Sequence, residues 1–288
     1  PAMEARKARP AANTEGAISP FFSPDGQWLG FFAGGKLKKV SVSGGAALIL
    51  CDAAGLRGAS WGSNDVIVFA PAAAAGGGLS QVSAAGGAPQ PLTTLKEGET
   101  NHRWPQVLPD GKTVLFTANT SGGEDNSQIS VQRLDTGERR DLIRGGTYAH
   151  YVPTGHLIYY RAGTMMAAPF DLARLEVRGT TAPVLEGVMP SGSGGAQFSF
   201  SSSGSLVYVP GVAQAAQFRL VWISRNGTEQ PLSAAPHAYR NPRIAPDGRR
   251  VAVVFLDNGA QVWIYDLVRG NLSRLTFPGG NVPEWTPD

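Results

Sequence analysis

The chain of 288 residues contains few of the residues that build metal centres, disulfides or membrane spans. Its one cysteine, Cys51, permits no internal disulfide, and four histidines are too dispersed for a metal site that could be identified from sequence. No window of 18 apolar residues occurs, so no membrane-spanning segment is predicted. We therefore expect no metal and no cofactor.

Signatures of common catalytic sites are also missing. No Gly-x-Ser-x-Gly elbow is present, and Ser193, in the Gly-rich segment 191–195, is expected to lie in a flexible loop. The segment 101–104 reads Asn-His-Arg-Trp and is not a kinase catalytic loop. The sequence thus predicts no catalytic residue and a segment that is not itself an enzyme.

The charge pattern also argues against one class of partner. The formal net charge is +3, but lysines and arginines alternate with acidic residues, so no continuous basic track for phosphates is visible. Nucleic acid is therefore not expected as a partner. The 37 glycines and 21 prolines instead indicate an all-β chain rich in turns.

A turn motif is repeated along the chain. Its clearest copies are Pro24-Asp25-Gly26, Pro109-Asp110-Gly111 and Pro246-Asp247-Gly248, and weaker copies stand at 153–155, 202–204 and 63–65. Proline presets φ, aspartate bonds its own backbone and glycine accepts positive φ, so each copy should join two antiparallel strands. The last residues of these turns, 26, 65, 111, 155, 204 and 248, are 39 to 49 residues apart, which is typical of propeller blades.

Prolines before the turns indicate the position of one strand. Pro20, Pro105, Pro242 and Pro283 each stand four residues before the turn proline of their own repeat. Proline cannot donate to a sheet ladder, so this strand should have an unpaired edge, as the innermost strand of a propeller blade has. We expect an all-β propeller of four-stranded antiparallel blades, with six blades in this chain.

The expected domain organisation is simple. Residues 1–15 are a basic linker or fragment end, and residues 16–288 form a single propeller domain whose C-terminal strand starts a further repeat. The chain begins with Pro1 and ends inside an unfinished turn, which predicts that it is a piece of a longer protein.

Polar and aromatic residues near the innermost strands are candidate binding residues at the mouth of the channel. They are His102, Arg103, Tyr148, His150, Tyr239, Arg240 and Asn241. Loops at 70–79, 118–127 and 209–217 would form the binding face. The alternative interpretation is that these side chains hydrogen-bond neighbouring blades and line a wet channel.

The Ser-Pro-Asp-Gly corners and Leu-Thr outer strands resemble the TolB-like, or PD-type WD-repeat (WD40-like, PD40), β-propellers of bacteria. More narrowly, residues 30–39, 102–105 and 163–171 resemble the propeller region of bacterial receptor-type serine/threonine protein kinases. This resemblance implies a sensory module that binds a protein or peptide. It also implies a periplasmic or extracytoplasmic location, with one membrane helix joining the propeller to a cytoplasmic kinase. The basic first fifteen residues depart from the family pattern.

Two other functions are open at this stage. The propeller could gate a prolyl oligopeptidase-type serine peptidase whose catalytic domain lies outside this chain, or it could be a lactonase-like enzyme that uses the channel. The second requires several inward carboxylates or histidines, and the sequence offers few. The parent reading frame would distinguish the first from a kinase-linked module.

Overall fold

The structure is a computed structural model that describes ten stretches of the chain. They are residues 13–53, 57–71, 77–121, 123–191, 194–201, 204–211, 218–224, 226–255, 261–277 and 283–286. The chain divides into two compact units, Pro1–Val212 and Ala213–Asp288, each with its own sheets and apolar core. The boundary falls within the fifth sequence repeat, and the organisation of residues 16–288 as a single domain stays a prediction. The basic segment 1–15 lies mostly outside the described residues.

The first unit contains antiparallel sheets built from strands that follow one another in the chain. The first sheet comprises β1 (Ile18–Phe22), β2 (Trp28–Ala33), β3 (Lys36–Ser41) and β4 (Leu48–Asp52). The second comprises β5 (Ala59–Trp61), β6 (Val66–Phe69), β7 (Ser80–Ser83) and β8 (Gln90–Pro91). The third comprises β9 (Glu99–Val107), β10 (Thr113–Thr120), β11 (Gln128–Arg133) and β12 (Arg139–Arg144), with a short 3-10 helix, Glu124–Asn126, between β10 and β11.

The remaining sheets of this unit depart from four strands. The fourth sheet comprises β13 (Thr147–Val152), β14 (His156–Arg161), β15 (Thr164–Asp171), β16 (Glu176–Val177) and β17 (Ala182–Glu186), and both β16 and β17 pair with β15. The fifth repeat supplies a two-stranded sheet of β18 (Phe198–Phe200) and β19 (Leu206–Tyr208). This repeat lacks the Pro-Asp-Gly corner of the first, third and sixth repeats, and its strands are short.

The second unit begins with a two-stranded sheet, followed by a full four-stranded one. The strands are β20 (Val221–Ile223), β21 (Glu229–Pro231), β22 (Tyr239–Ile244), β23 (Arg250–Phe255), β24 (Gln261–Asp266) and β25 (Asn271–Arg274). The all-β architecture of four-stranded antiparallel blades confirms the expected propeller fold class.

The Pro-Asp-Gly corners adopt the predicted turn chemistry. The glycines Gly26, Gly111 and Gly248 have φ of 68°, 65° and 68°, which glycine accepts without steric cost. In the first corner the Gly26 N–H donates to the Ser23 carbonyl at 2.9 Å, and an Asp25 carboxylate oxygen accepts from the Gln27 N–H at 3.0 Å. The corners therefore connect the first two strands of each repeat as the sequence predicts.

The first strand of several repeats carries the same β-bulge. Between Ile18 and Phe21 of β1, two residues oppose one residue of β2, and the same shift occurs in β9, β13 and β22. The first bulge residue has positive φ in each case: 48° at Ser19, 55° at Trp104, 54° at Tyr148 and 47° at Asn241. A positive φ is strained for residues other than glycine. Because the same bulge recurs at the same register in four repeats, it is a regular part of the repeat and not a local irregularity.

The prolines occupy these bulges. Pro20, Pro105 and Pro242 are the second bulge residues of β1, β9 and β22, which are the end strands of their sheets. A bulge residue is not paired in the hydrogen-bond ladder, so a proline, which has no backbone N–H, loses no ladder hydrogen bond there. Pro283 lies in no strand among residues 283–286.

Apolar side chains fill the space between neighbouring repeats of the first unit. Phe32 and Leu37 of the first sheet contact Trp61 and Ile67 of the second. The same arrangement joins the second sheet to the third and the third to the fourth. Fully burying one such side chain contributes about 1.5–3 kcal/mol, so these junctions dominate the stability of the unit.

Candidate functional site

The repeated bulge brings aromatic side chains from successive repeats into contact. Trp104 of β9 meets Tyr148 of β13 edge to face, with ring centroids 5.1 Å apart, and Tyr148 meets Phe198 of β18 at the same distance. His150 lies 4.6 Å from the Tyr148 ring and 5.7 Å from that of Phe198. We call Trp104, Tyr148, His150 and Phe198 the aromatic cluster. Edge-to-face geometry is the preferred one for such rings, so the cluster is rigid.

Glycines on both sides fix the Trp104 ring. A Cβ at Gly58 would lie 2.7 Å from a ring carbon of Trp104, and one at Gly195 would lie 2.9 Å from another. Gly58 also has a positive φ of 91°. The backbone N–H of Trp104 donates to the Arg57 carbonyl at 2.8 Å. One indole therefore contacts both the second repeat and the loop that precedes β18.

Two polar atoms of the aromatic cluster are buried without a hydrogen-bond partner in the described part of the chain. They are Nε1 of Trp104, a donor, and Nε2 of His150. The Tyr148 hydroxyl donates to the Phe198 carbonyl at a long 3.4 Å. Unsatisfied buried groups are costly, so this cluster retains hydrogen-bonding capacity that the protein itself does not use.

Burial sets the protonation states in the cluster. It lowers the pKa of His150 to about 4, so this imidazole is neutral at neutral pH. Burial also raises the pKa of the Tyr148 hydroxyl, which therefore stays protonated. The cluster is an uncharged aromatic surface whose rings are half-buried at Trp104, Tyr148 and His150.

His102 has a different environment from the one the sequence predicts. It is 2% exposed, and both ring nitrogens are engaged: Nδ1 lies 2.7 Å from the Thr93 hydroxyl and Nε2 lies 2.9 Å from a Glu99 carboxylate oxygen. The Thr93 hydroxyl oxygen also accepts the Leu79 N–H at 2.7 Å. These contacts agree with the alternative interpretation for His102, because its polar atoms join the second repeat to the third, and a binding role for it stays a prediction.

Arg139 completes this buried network. Its guanidinium donates to both Glu99 oxygens, at 2.5 and 3.0 Å, and the side chains of Arg139 and Glu99 are only 7% and 6% exposed. Burial acts to raise the pKa of Glu99. The hydrogen bonds from Arg139, the Lys96 N–H and His102 outweigh it and lower that pKa to about 2. We call Thr93, Glu99, His102 and Arg139 the junction network.

Arg103 is 7% exposed, and its Nε donates to the Asn101 side-chain oxygen at 2.8 Å. It is therefore placed inside the third sheet rather than on an open surface. Of the predicted residues in the first unit, Tyr148 and His150 are in ring contact with each other.

The three candidates in the second unit differ among themselves. Tyr239 is 5% exposed and its hydroxyl donates to the Ala235 carbonyl at 2.6 Å, which makes it a core residue of that unit. Arg240 is exposed, with its guanidinium 5.0 Å from the Phe218 ring centroid. Asn241 is exposed and is the left-handed bulge residue of β22.

The predicted binding loops are described only in part, since residues 72–76, 122 and 212–217 lie outside the described residues, as does Ser193. In the described portion, the Ser127 hydroxyl is buried and donates to Asn119 and to the Gly123 carbonyl. Trp104 and Phe198 were not among the predicted binding residues. The signal for Trp104 was available, because it precedes Pro105 at the register that Tyr148 shares.

No group of three or more His, Cys, Asp or Glu side chains that could hold a metal ion occurs among the residues that the structure describes. In the same residues, no helix has the length and apolar character needed to cross a bilayer.

The sequence matches no protein-family model and no curated protein. Among solved structures, it is similar to the calcium-binding protein regucalcin from Agrobacterium tumefaciens. The two are 13% identical, the match covers 84% of each chain, and the TM-score is 0.51. It is also similar to TolB from Acinetobacter baumannii, with 17% identity, coverage of 94% of this chain and 66% of that chain, and a TM-score of 0.45.

A third similar structure is a puromycin-hydrolyzing peptidase from Mycobacterium tuberculosis. It is 16% identical, with coverage of 96% of this chain and 49% of that chain and a TM-score of 0.46. This chain thus spans about half of the peptidase. At such identities the likeness concerns the fold.

Proposed function

We propose that the chain is a non-catalytic propeller module that binds a protein or peptide through the aromatic cluster. The observation that carries the proposal is the set of half-buried Trp104, Tyr148 and His150 rings on successive first strands, with two unsatisfied polar atoms among them. Tryptophan and tyrosine dominate the binding energy of protein interfaces, and the exposed parts of the Trp104 and Tyr148 rings can pack against a partner. Backbone strain at Trp104 and Tyr148 supports the same site, because strain collects at functional positions.

We propose further that the module is the extracytoplasmic, periplasmic part of a bacterial signalling kinase. The support is the resemblance of residues 102–105 and 163–171, which here form parts of β9 and β15. Sequencing of the parent reading frame tests this attachment directly. A kinase domain and one apolar span before this segment are expected. A hydrolase domain with a Gly-x-Ser-x-Gly elbow after it would refute the kinase attachment and favour the peptidase gate.

Selection from a displayed library of random peptides tests the binding site. The chain as it stands is the bait, and affinities of the selected peptides are then measured by calorimetry. Trp104→Phe keeps an aromatic ring but removes part of the half-buried indole surface, so affinity should fall about tenfold, worth about 1.4 kcal/mol. Trp222→Phe is the matched control, since this partly exposed indole lies on β20. Enriched peptides that bind both variants as they bind the wild type would refute the site.

Arg240 lies in the second unit and is tested by its own pair of variants. Arg240→Ala should weaken any selected peptide that binds the second unit, without lowering thermal stability. Arg249→Ala removes an exposed arginine from the Pro-Asp-Gly corner that precedes β23 and should have no effect. Equal affinities for these two variants would remove Arg240 from the site.

A further inference from the structure

The hairpin of β20 and β21 in the second unit has apolar side chains on both of its faces. Val221, Trp222 and Ile223 form β20 and are 40%, 43% and 59% exposed. All three residues of β21 are exposed as well. The hairpin is held at its base, where Leu220 and Leu232 pack in the apolar core of the unit. A two-stranded sheet with neither face covered is only marginally stable in water, so a partner that covers it would stabilise this hairpin.

The backbone of β20 has one paired edge and one open edge. Residues on either side of Val221 and Ile223 form the ladder with β21: the Leu220 carbonyl accepts at one end, and the Ser224 N–H donates at the other. Successive residues of an antiparallel strand direct their backbone groups to opposite edges. The N–H and C=O groups of Val221 and Ile223 therefore point away from β21. Within the described residues, β21 is the only strand that pairs with β20, so these groups form an open edge.

Other strand edges of the protein are protected against pairing, and this one is not. Pro231 stands opposite Val221 on β21, where its nitrogen faces outward and offers no N–H to a further strand. The end strand β12 reads Arg-Arg-Asp-Leu-Ile-Arg, and charges of this kind discourage pairing. By contrast, β20 contains neither a charge nor a proline. An unprotected apolar edge is a template for one more strand.

Positive charge flanks one end of this open edge. Arg219 directly precedes β20 and is exposed, and the exposed Arg240 guanidinium lies 5.0 Å from the centroid of the Phe218 ring. Among the residues that the structure describes, neither arginine forms an ion pair. A strand added antiparallel to β20 would bring its C-terminal end to these arginines. Acidic residues at that end would therefore be attracted.

We propose that the open edge of β20 binds an extended peptide of another protein as an added antiparallel strand. The apolar centre of the peptide packs against Val221 and Ile223 on one face and against Trp222 on the other, and acidic residues at its C-terminal end pair with Arg219 and Arg240. In this mode the backbone hydrogen bonds supply affinity and the side-chain contacts supply the preference for sequence. The site consists of other residues than the aromatic cluster, and it does not depend on that cluster binding a peptide.

Calorimetric titration of the 288-residue chain with a capped peptide, Ser-Val-Thr-Val-Thr-Asp-Glu, tests the proposal. The peptide should bind saturably with a Kd of about 10–500 μM. Replacing its Asp-Glu end by Lys-Lys should weaken binding at least about tenfold. Two further peptides carry N-methyl groups on both valines or on both inner threonines. At least one of these two should lose binding, because one alternate set of N–H groups must face β20.

Variants of the protein test the same edge. Ile223→Pro removes one outward N–H of β20 without removing a ladder bond to β21, so peptide affinity should fall at least about tenfold. Ile223→Thr keeps the N–H and a β-branched side chain and is the matched control, with an affinity within about threefold of the wild type. Arg219→Glu and Arg240→Glu together should reverse the preference between the Asp-Glu and Lys-Lys peptides. Trp104→Phe should leave the affinity unchanged, which separates this site from the aromatic cluster.

Amide hydrogen exchange shows whether the edge is open before the peptide binds. The amides of Val221 and Ile223 should exchange rapidly in the free chain and at least about tenfold more slowly in the saturated complex. Protection of these amides in the free chain would overturn the proposal, because another part of the chain or a second copy would then cover the edge. So would the absence of saturable binding up to about 2 mM peptide, or equal affinities for the parent peptide and both methylated ones.

Discussion

Replacing Glu99 by glutamine should destabilise the protein by about 3 kcal/mol at pH 7. Glutamine has nearly the same shape but no charge, so the Arg139 guanidinium, whose side chain is 7% exposed, would keep only the more exposed Asp141 carboxylate, 3.1 Å away, as a counter-charge. Breaking a buried ion pair by removing one partner costs about 3–5 kcal/mol, and the remaining Asp141 carboxylate places this case at the lower end. The lowered pKa of Glu99 gives a similar free-energy cost. Each tenfold change in acidity is worth about 1.4 kcal/mol, so a pKa of about 2 in place of 4.5 corresponds to about 3 kcal/mol.

The Glu99–Arg139 ion pair also predicts that the unfolding free energy depends on pH. The folded-state pKa of Glu99 lies below its unfolded value. The contribution of Glu99 to the unfolding free energy is therefore fully present above about pH 4.5 and is lost as the pH falls toward 2. Wild type and Glu99→Gln should therefore differ most at neutral pH and converge in acid. Urea unfolding followed by tryptophan fluorescence at several pH values measures this difference.

Glu138→Gln is the matched control for this experiment. Glu138 pairs with Arg140 at 3.0 Å, but the two side chains are 53% and 46% exposed, so the change should cost less than about 0.5 kcal/mol. If Glu99→Gln and Glu138→Gln differ by less than about 1 kcal/mol at pH 7, the junction network does not stabilise the fold as argued. A difference that does not change between pH 7 and pH 2 would contradict the role of the Glu99 charge.

Two other substitutions probe the same regions. A Cβ at Gly78 would collide with the Thr93 carbonyl, so Gly78→Ala should lower the unfolding free energy by about 2 kcal/mol or more. Gly77→Ala meets nothing within 4 Å and should be nearly neutral, and similar urea midpoints for the two variants would contradict the packing around Thr93. Because the pKa of His150 is low in the folded state, its contribution to the unfolding free energy is complete above about pH 6.5 and is lost as the pH falls through about 4. Between pH 7.5 and 5 the wild type should therefore lose up to about 2 kcal/mol more than His150→Gln, and equal losses in urea titrations would refute the burial of this imidazole.

The turns and the strand order could be predicted from sequence because their causes are local. Proline, aspartate and glycine set the corner at 24–26 through their own backbone preferences, and each recurrence repeats the same chemistry. The fifth repeat has Ser-Ser-Gly at 202–204 instead, and there the sheet of β18 and β19 has only two strands. The second repeat, with Ser-Asn-Asp at 63–65, nevertheless forms a four-stranded sheet, so the turn signal alone does not decide the number of strands.

The candidate site was harder to predict because its contacts join distant parts of the chain. The ring contact of Tyr148 with Phe198 spans 50 residues, and the hydrogen bonds of Arg139 to Glu99 span 40. Nothing in the segment around His102 indicates that Thr93 will take one ring nitrogen and Glu99 the other. The sequence predicts that His102 and His150 lie in equivalent strands. In the structure, Thr93 of the neighbouring repeat lies within hydrogen-bond distance of Nδ1 of His102, whereas Nε2 of His150 has no hydrogen-bond partner among the described residues.

The bulge explains how one fold can present different chemistry from repeat to repeat. In four repeats the two bulge residues oppose a single residue of the second strand, and that residue is fully buried: Phe31, Phe116, Tyr159 or Val253. The buried residue and the missing ladder bond fix the backbone, so the left-handed position is set by packing and not by its own side chain. That position is Ser19 in one repeat, Trp104 in another and Asn241 in a third. Because packing behind it holds its backbone, its side chain can differ from repeat to repeat, and under the proposed binding role a change there should alter binding more than the fold.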